Sequence, residues 1–230
     1  MASTLRQVTG KARSAGKQSP AGRRIKGLDA TERAQQRREL ILDAALDLFT
    51  RDGYANSSIE TICQMAYVGN KAFYEHFSTK EACYLELLQR NTHMIFEKLY
   101  AAPDDADDTE ATLTRRLLTM FVDALADDPR IGVITFGQSG GISPTVERQR
   151  RANRRQAADL IRSVWSRFDK GPAAAGEHLA IAVTGGLFDL IADALDQSDG
   201  ELTGRTRTQL ADDMTDFVLT VRAGMRGEQP

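Results

Sequence analysis

Six side chains between positions 70 and 80 have the chemistry to meet a nucleic acid: Asn70, Lys71, Ala72, Tyr74, His76 and Lys80. An asparagine amide can pair with the edge of adenine, a lysine with guanine, and the Ala72 methyl can touch that of thymine. Tyr74 and His76 can offer a hydroxyl and an imidazole to phosphate oxygens. Lys80 stands beside the backbone N–H groups of a helix expected to open at Ser78, where helix dipole and cation together suit a phosphate. Phe73 and Phe77, four apart in the same stretch, read as inward-facing.

For these residues to act together they must lie on a short helix held at a fixed angle by others. The pattern around them provides that. Leu40, Ile41, Ala44, Ala45, Leu48 and Phe49 recur at helical spacing, with Gly53 where a helix is expected to stop. The run Ser57-Ser58-Ile59-Glu60 reads as a capping box opening a second helix at Ser57, and a short helix is expected over about 70–76. Two short helices four residues apart after a supporting helix make a helix-turn-helix, whose second helix can enter a major groove about 12 Å wide. A second capping box, Ser78-Thr79-Lys80-Glu81, opens a long helix to about Tyr100.

The rest of the chain is also helical in pattern, and no stretch alternates as a strand would, so the fold class is all-α. An acidic loop spans 103–110, and a helix follows through Leu113, Leu117, Met120, Phe121 and Ala124. An ambiguous apolar stretch covers Ile131–Phe136. Ser143 and Pro144 form a good N-cap and first-turn pair for a long helix whose apolar face includes Leu160, Ile161, Val164, Trp165 and Phe168. Two apolar helices close the chain. Their faces are wider than a one-sided contact requires, which fits a four-helix interface between two copies, with Gly185 and Gly186 allowing close approach.

Charge is unevenly placed. The 230 residues carry a net −2, yet residues 1–28 hold seven cations (Arg6, Lys11, Arg13, Lys17, Arg23, Arg24, Lys26) and no acid, leaving −9 on the remainder. Such an arm is either a solvated tail or an added contact to a polyanion. Other chemistry is not supported. Two cysteines and three scattered histidines give no metal-ligand or disulfide spacing. Neither a P-loop nor a dinucleotide fingerprint is found, and Ser143 in Gly140-Gly141-Ile142-Ser143-Pro144 is better explained as a helix cap than as a nucleophile. We therefore expect no enzyme, no cofactor, no membrane span and a cytoplasmic location.

The residues around the helix pair resemble the DNA-binding domain of the TetR family. Those carrying the resemblance are Ile41-Leu42-Asp43-Ala44-Ala45, Leu48-Phe49, Gly53-Tyr54, Ser57-Ser58, Ile62, Val68 and the run Phe73-Tyr74-Glu75-His76-Phe77-Ser78-Thr79-Lys80-Glu81. The resemblance implies a three-helix reading domain over 29–80 after the arm, and a larger helical domain over 81–230 that dimerises through its last two helices and binds a small ligand. It implies a palindromic operator as partner and repression relieved by the ligand. A regulator on the same fold without any effector, activating or constitutively repressing, is the alternative. By resemblance Ser57 opens the second helix, and Tyr74, His76 and Lys80 match phosphate-contacting positions. Residues expected around a ligand are Phe96, Met120, Phe121, Phe136, Trp165 and Phe188.

The turn departs from the family's usual Ala-Gly-Val-Ser. Here it reads Ala66-Tyr67-Val68-Gly69, which puts a tyrosine where positive φ is expected and a glycine where a serine usually caps. Lys71 adds a long cation where small residues are common. Cys63 replaces an alanine and reads as a small buried apolar residue.

Overall fold

A computed structural model describes residues 29–103, 105–137, 141–169, 176–198 and 200–227. The basic arm, Asp104 and Gly140 of the sequence reading lie outside these ranges. The described residues form ten helices and no strand: α1 (Ala30–Arg51), α2 (Gly53–Asn56), α3 (Ile59–Met65), α4 (Asn70–His76), α5 (Lys80–Tyr100), α6 (Glu110–Asp127), α7 (Pro129–Phe136), α8 (Pro144–Phe168), α9 (Glu177–Gln197) and α10 (Gly204–Arg226).

Local chemistry sets most helix ends. At α1, Asp29 accepts from the Glu32 amide at 2.8 Å while Glu32 accepts from the Asp29 amide at 2.6 Å, a reciprocal cap. After Asp52 the chain turns at Gly53, φ 80°, a left-handed conformation that glycine adopts without cost. Pro129 and Pro144 each sit in a first turn behind the caps Asp128 and Ser143.

Two expected caps fall one residue away. Ser58, not Ser57, caps α3, with its hydroxyl accepting from the Thr61 amide at 3.0 Å. The reason is the one-turn helix α2, which the sequence pattern did not reveal. Ser57 ends it and donates to the Gly53 carbonyl at 2.8 Å. Likewise Thr79, not Ser78, caps α5, accepting from the Ala82 amide at 3.0 Å. Glu81 does not reach back to the cap but accepts at 2.9 Å from Ser143.

Two apolar clusters share α5. The first gathers Ile41, Leu48 and Phe49 of α1, Ile62 of α3, Phe73 of α4, Phe77 and the Cys83–Leu88 part of α5, and is closed by Ile134 of α7 and Val146 of α8. The second holds the far part of α5 with α6 and α8–α10, centred on Leu125, Ile191 and Met214. A rigid helix running through both cores is a direct mechanical link between them. Polar ties add to it. Arg130 of α7 donates to Asp43 at 3.0 Å and Asp47 at 2.5 Å on α1, and to its own cap Asp128 at 2.8 Å. At the opposite end, the buried Arg222 donates to the buried Glu110 at 2.5 Å and lies over the Trp165 ring.

Helix α9 has the length and apolar composition of a membrane span, but it packs on α7, α8 and α10 as a core helix. Only part of it is covered within one chain. Gly186 faces inward, where a Cβ would lie 2.8 Å from the Phe217 ring of α10. Gly185 faces open space. The two glycines therefore have different reasons, and Gly186 belongs to a crossing inside the chain.

Candidate nucleic-acid interface

Helix α4 has two unlike faces. Phe73 is fully buried and Phe77, just past the helix, is buried with it, their ring centroids 5.6 Å apart. Asn70, Lys71 and Tyr74 are exposed. Asn70 and Tyr74 are one turn apart and share a face; Lys71 extends it, and Ala72 is half-buried at its side. Arg38 of α1 pins the end of α4, stacking over the Phe77 ring and pairing with Glu86 of α5 at 2.7 Å.

The turn before α4 is a complete Schellman arrangement. The Val68 amide donates to the Cys63 carbonyl at 3.0 Å and the Tyr67 amide to the Gln64 carbonyl at 3.2 Å. Tyr67 occupies the left-handed position at φ 54°, and no other described non-glycine residue has positive φ. A side chain there costs about 1–2 kcal/mol. The residue is 96% exposed, so no packing offsets that cost. Gly69 caps α4 without a side-chain bond.

Three of the residues expected at DNA have close neighbours within the chain. Ser57 is buried, with its hydroxyl engaged by Gly53, and cannot touch a groove; Ser58 and Thr61 are the exposed hydroxyls at the start of α3. His76 is half-buried, and its Nε2 is buried with no partner among the described residues. Burial, helped by Arg37 and Arg38, pushes its pKa below the ordinary value. Lys80 turns inward. Its ammonium donates to the carbonyls of Tyr54 and Ser57, both at 2.7 Å, and lies 4.2 Å from the Tyr54 ring centroid. These contacts make a clamp that ties the start of α5 to the segment entering α3.

The second feature is a cavity of about 160 Å3 among α5–α10, lined by apolar side chains that include Phe96, Phe121, Phe136, Trp165 and Phe188. Met120 does not line it. The cavity face of α6 is Thr114, Leu117, Leu118 and Phe121, and Met120 stands about 100° round the helix from Phe121. Polar groups enter the wall as well. Asn153 donates to Thr92 at 2.9 Å, while the hydroxyls of Thr114 and Thr135 are buried without partners among the described residues. Arg150 also lines it, and no sequence signal separated that residue from the six other arginines of α8.

Residues 41–87 match the family model for bacterial regulatory proteins of the tetR family. Among curated relatives, the chain is 27% identical over 179 residues to the HTH-type transcriptional activator FasR of Mycolicibacterium smegmatis, with 78% of each chain covered. It is 25% identical over 91 residues to the uncharacterized HTH-type transcriptional regulator YuxN of Bacillus subtilis, a match spanning 40% of this chain and 31% of that one. In fold it is similar to a TetR-like transcriptional regulator from Rhodococcus sp. RHA1 (TM-score 0.64, 20% identity, 84% of this chain and 97% of that one). It is also similar to the fatty acid degradation regulator FadR from Bacillus halodurans (TM-score 0.61, 17% identity, 80% and 94%). Residues 41–87 thus carry a segment similar to the tetR-family DNA-binding domain, within the all-α plan, a helix-turn-helix followed by a larger helical region, that the chain shares in fold with these TetR-like regulators. The family and these relatives are regulators rather than enzymes.

Proposed function

We propose that the protein is a homodimeric regulator that binds a two-fold-symmetric operator through α4 and is released from it by a small apolar molecule, acting as a repressor. The carrying observation is the division of α4 into a buried Phe73 side and an exposed Asn70, Lys71 and Tyr74 side. A short helix fixed by its core face and bare on the other can present those groups to base edges and phosphates. Ser58, Thr61 and the exposed Tyr67 flank it. The basic arm over 1–28 adds salt-sensitive phosphate contacts.

The uncovered faces of α9 and α10 support the dimeric part of the reading. Ile181 is 41% exposed, Gly185 faces open space, and Val221 and Met225 extend the apolar surface along α10. Successive major grooves on one face of the duplex require the two copies of α4 in such a two-fold pair to lie roughly 34 Å apart. The cavity supports the effector part of the reading. A dry apolar cavity of about 150 Å3 takes up benzene, so this one suits a ring-sized or longer apolar body. FasR is named an activator, and activation on the same fold is the second reading, because the sign of control depends on where the operator lies relative to the promoter.

Size-exclusion chromatography with light scattering, followed by sequencing of genomic fragments retained by the purified protein, tests this proposal. A dimer enriching fragments that share an inverted repeat supports it. A monomer that retains all fragments equally overturns it.

A further inference from the structure

Arg150 lines the cavity and is also hydrogen-bonded to Tyr84 and Ile134 of the first apolar cluster, the one that holds α1, α3 and α4 together. Its Nη2 donates to the Tyr84 hydroxyl at 3.0 Å and to the Ile134 carbonyl at 3.3 Å. Tyr84 is fully buried and itself donates to the same carbonyl at 3.1 Å. Both acceptors are neutral. Among the described residues Arg150 pairs with no carboxylate, and its Nε is buried with no partner at all. A guanidinium has five donors in a planar fork suited to a carboxylate, so one held by two neutral oxygens with a donor left over can gain from an anion. Thr135 adjoins Ile134 in the chain and places a second unpartnered polar atom in the same wall. The other charged residues of the wall are Arg154 and Asp189, both exposed and of opposite sign; Thr92, Thr114, Asn153 and Thr184 are its uncharged polar members.

From Tyr84 the contacts run on to the reading helices. Its ring meets the Tyr54 ring edge-on at 5.4 Å. The Tyr54 ring carries the Lys80 ammonium, which holds the carbonyl of Ser57 immediately before the α3 cap.

Resting on the reading of this cavity as an effector site, we propose that the effector is an apolar molecule with a single anionic head, that Arg150 receives the head, and that binding draws Arg150 off Tyr84 and Ile134. In the DNA-competent state Arg150 ties α8 and α7 to α5 at Tyr84. The liganded state exchanges those two neutral acceptors for a charged one and loosens the tie. Tyr84 does not line the cavity, so it transmits the change as a positioning residue and does not touch the effector. The state that binds the anion better is the state that holds DNA less well, as a coupling between two sites requires.

The test uses the full-length protein and matched n-alkyl probes of six to twelve carbons carrying a carboxylate, an alcohol or a trimethylammonium head. Binding is read by calorimetry, and DNA affinity by fluorescence anisotropy on a retained genomic fragment. We expect the best carboxylate to bind about ten- to a hundredfold more tightly than its alcohol, the range that a charge-assisted bond spans. Arg150→Gln should abolish that preference while the alcohol still binds; Arg150→Lys should keep part of it. Tyr84→Phe should keep carboxylate affinity, lower DNA affinity without effector, and shrink the further loss that the carboxylate causes. Alcohols binding as well as carboxylates overturn the anionic head while leaving the effector site standing. A carboxylate preference that survives in Arg150→Gln overturns the assignment to Arg150. Undiminished release in Tyr84→Phe overturns the transmission step. If no probe binds at all, the effector reading of the cavity fails together with the proposal.

Discussion

Gly186 of α9 and Phe217 of α10 are in contact so close that the phenylalanine ring occupies the place a Cβ would take, 2.8 Å away. Gly185, one residue earlier, has nothing within 4 Å. Neighbouring glycines thus separate two properties of the helix pair. Gly186→Ala forces Phe217 aside and should cost about 1–3 kcal/mol of stability, the usual range for overpacking, with no direct effect on pairing of copies. Gly185→Arg should leave the melting temperature of the single chain nearly unchanged and push the protein toward monomer. Thermal unfolding and light scattering on both variants check this; a destabilised Gly185→Arg that remains dimeric contradicts it.

Lys80 clamps Tyr54 and Ser57 rather than projecting outward. Lys80→Met leaves two carbonyls without their charged donor and should cost about 1–3 kcal/mol. DNA affinity should fall alike for all sequences, because the whole reading unit loosens. The slope of log K against log salt should stay as in the wild type. A slope reduced by about one unit would show instead that Lys80 reaches a phosphate when DNA is bound.

At Tyr67 the two expected effects oppose each other. Its left-handed backbone is strained, so Tyr67→Gly should raise stability by about 1 kcal/mol. The exposed ring beside α4 is lost in the same change, so DNA affinity should drop. Denaturant unfolding and anisotropy measure the two. A variant no more stable than the wild type contradicts the strain.

The sequence showed more of the fold than of the contacts. Phe73 and Phe77 were readable as core because i, i+4 spacing puts both on one side of a helix. Ser143-Pro144 was readable as a helix start because the cap and the proline act within three residues. Ser57 was not, since adjacent serines can each cap and only the burial created by α2 decides between them. The partners of Lys80 lie 26 and 23 residues away, and a local pattern carries no trace of them. Five of the six residues expected around the cavity line it because large aromatics fill helix interfaces; Met120 fails through helix phase. Arg150 has no local signature at all: its meaning comes from Tyr84, 66 residues earlier.

Asp128 caps α7 and pairs with Arg130, whose guanidinium also reaches Asp43 and Asp47 of α1. The hydrogen bond from Arg130 holds the Asp128 carboxyl below the usual range, against the opposing effect of burial. A carboxylate whose folded pKa lies below its unfolded value of about 3.9 stabilises fully above that value and ceases to do so as pH falls through the folded one. Asp128→Asn keeps the cap but removes the charge. At pH 7 it should be less stable than the wild type by up to about 1 kcal/mol, the scale of a partly exposed pair. The gap should close between about pH 4 and the acid limit of folding. A gap that persists unchanged into that acid range contradicts the ion-pair account.

That the exposed side of α4 reads operator bases is tested most directly by selecting bound sequences from a randomised pool with the wild type, Asn70→Ala and Lys71→Ala. The wild type should yield an inverted repeat with half-site centres about one helical turn apart. Each variant should lose about 1–3 kcal/mol of discrimination at a single base pair, at symmetry-related positions in both half-sites, with preference elsewhere retained. Variants that select the same sequences as the wild type with undiminished preference would contradict it.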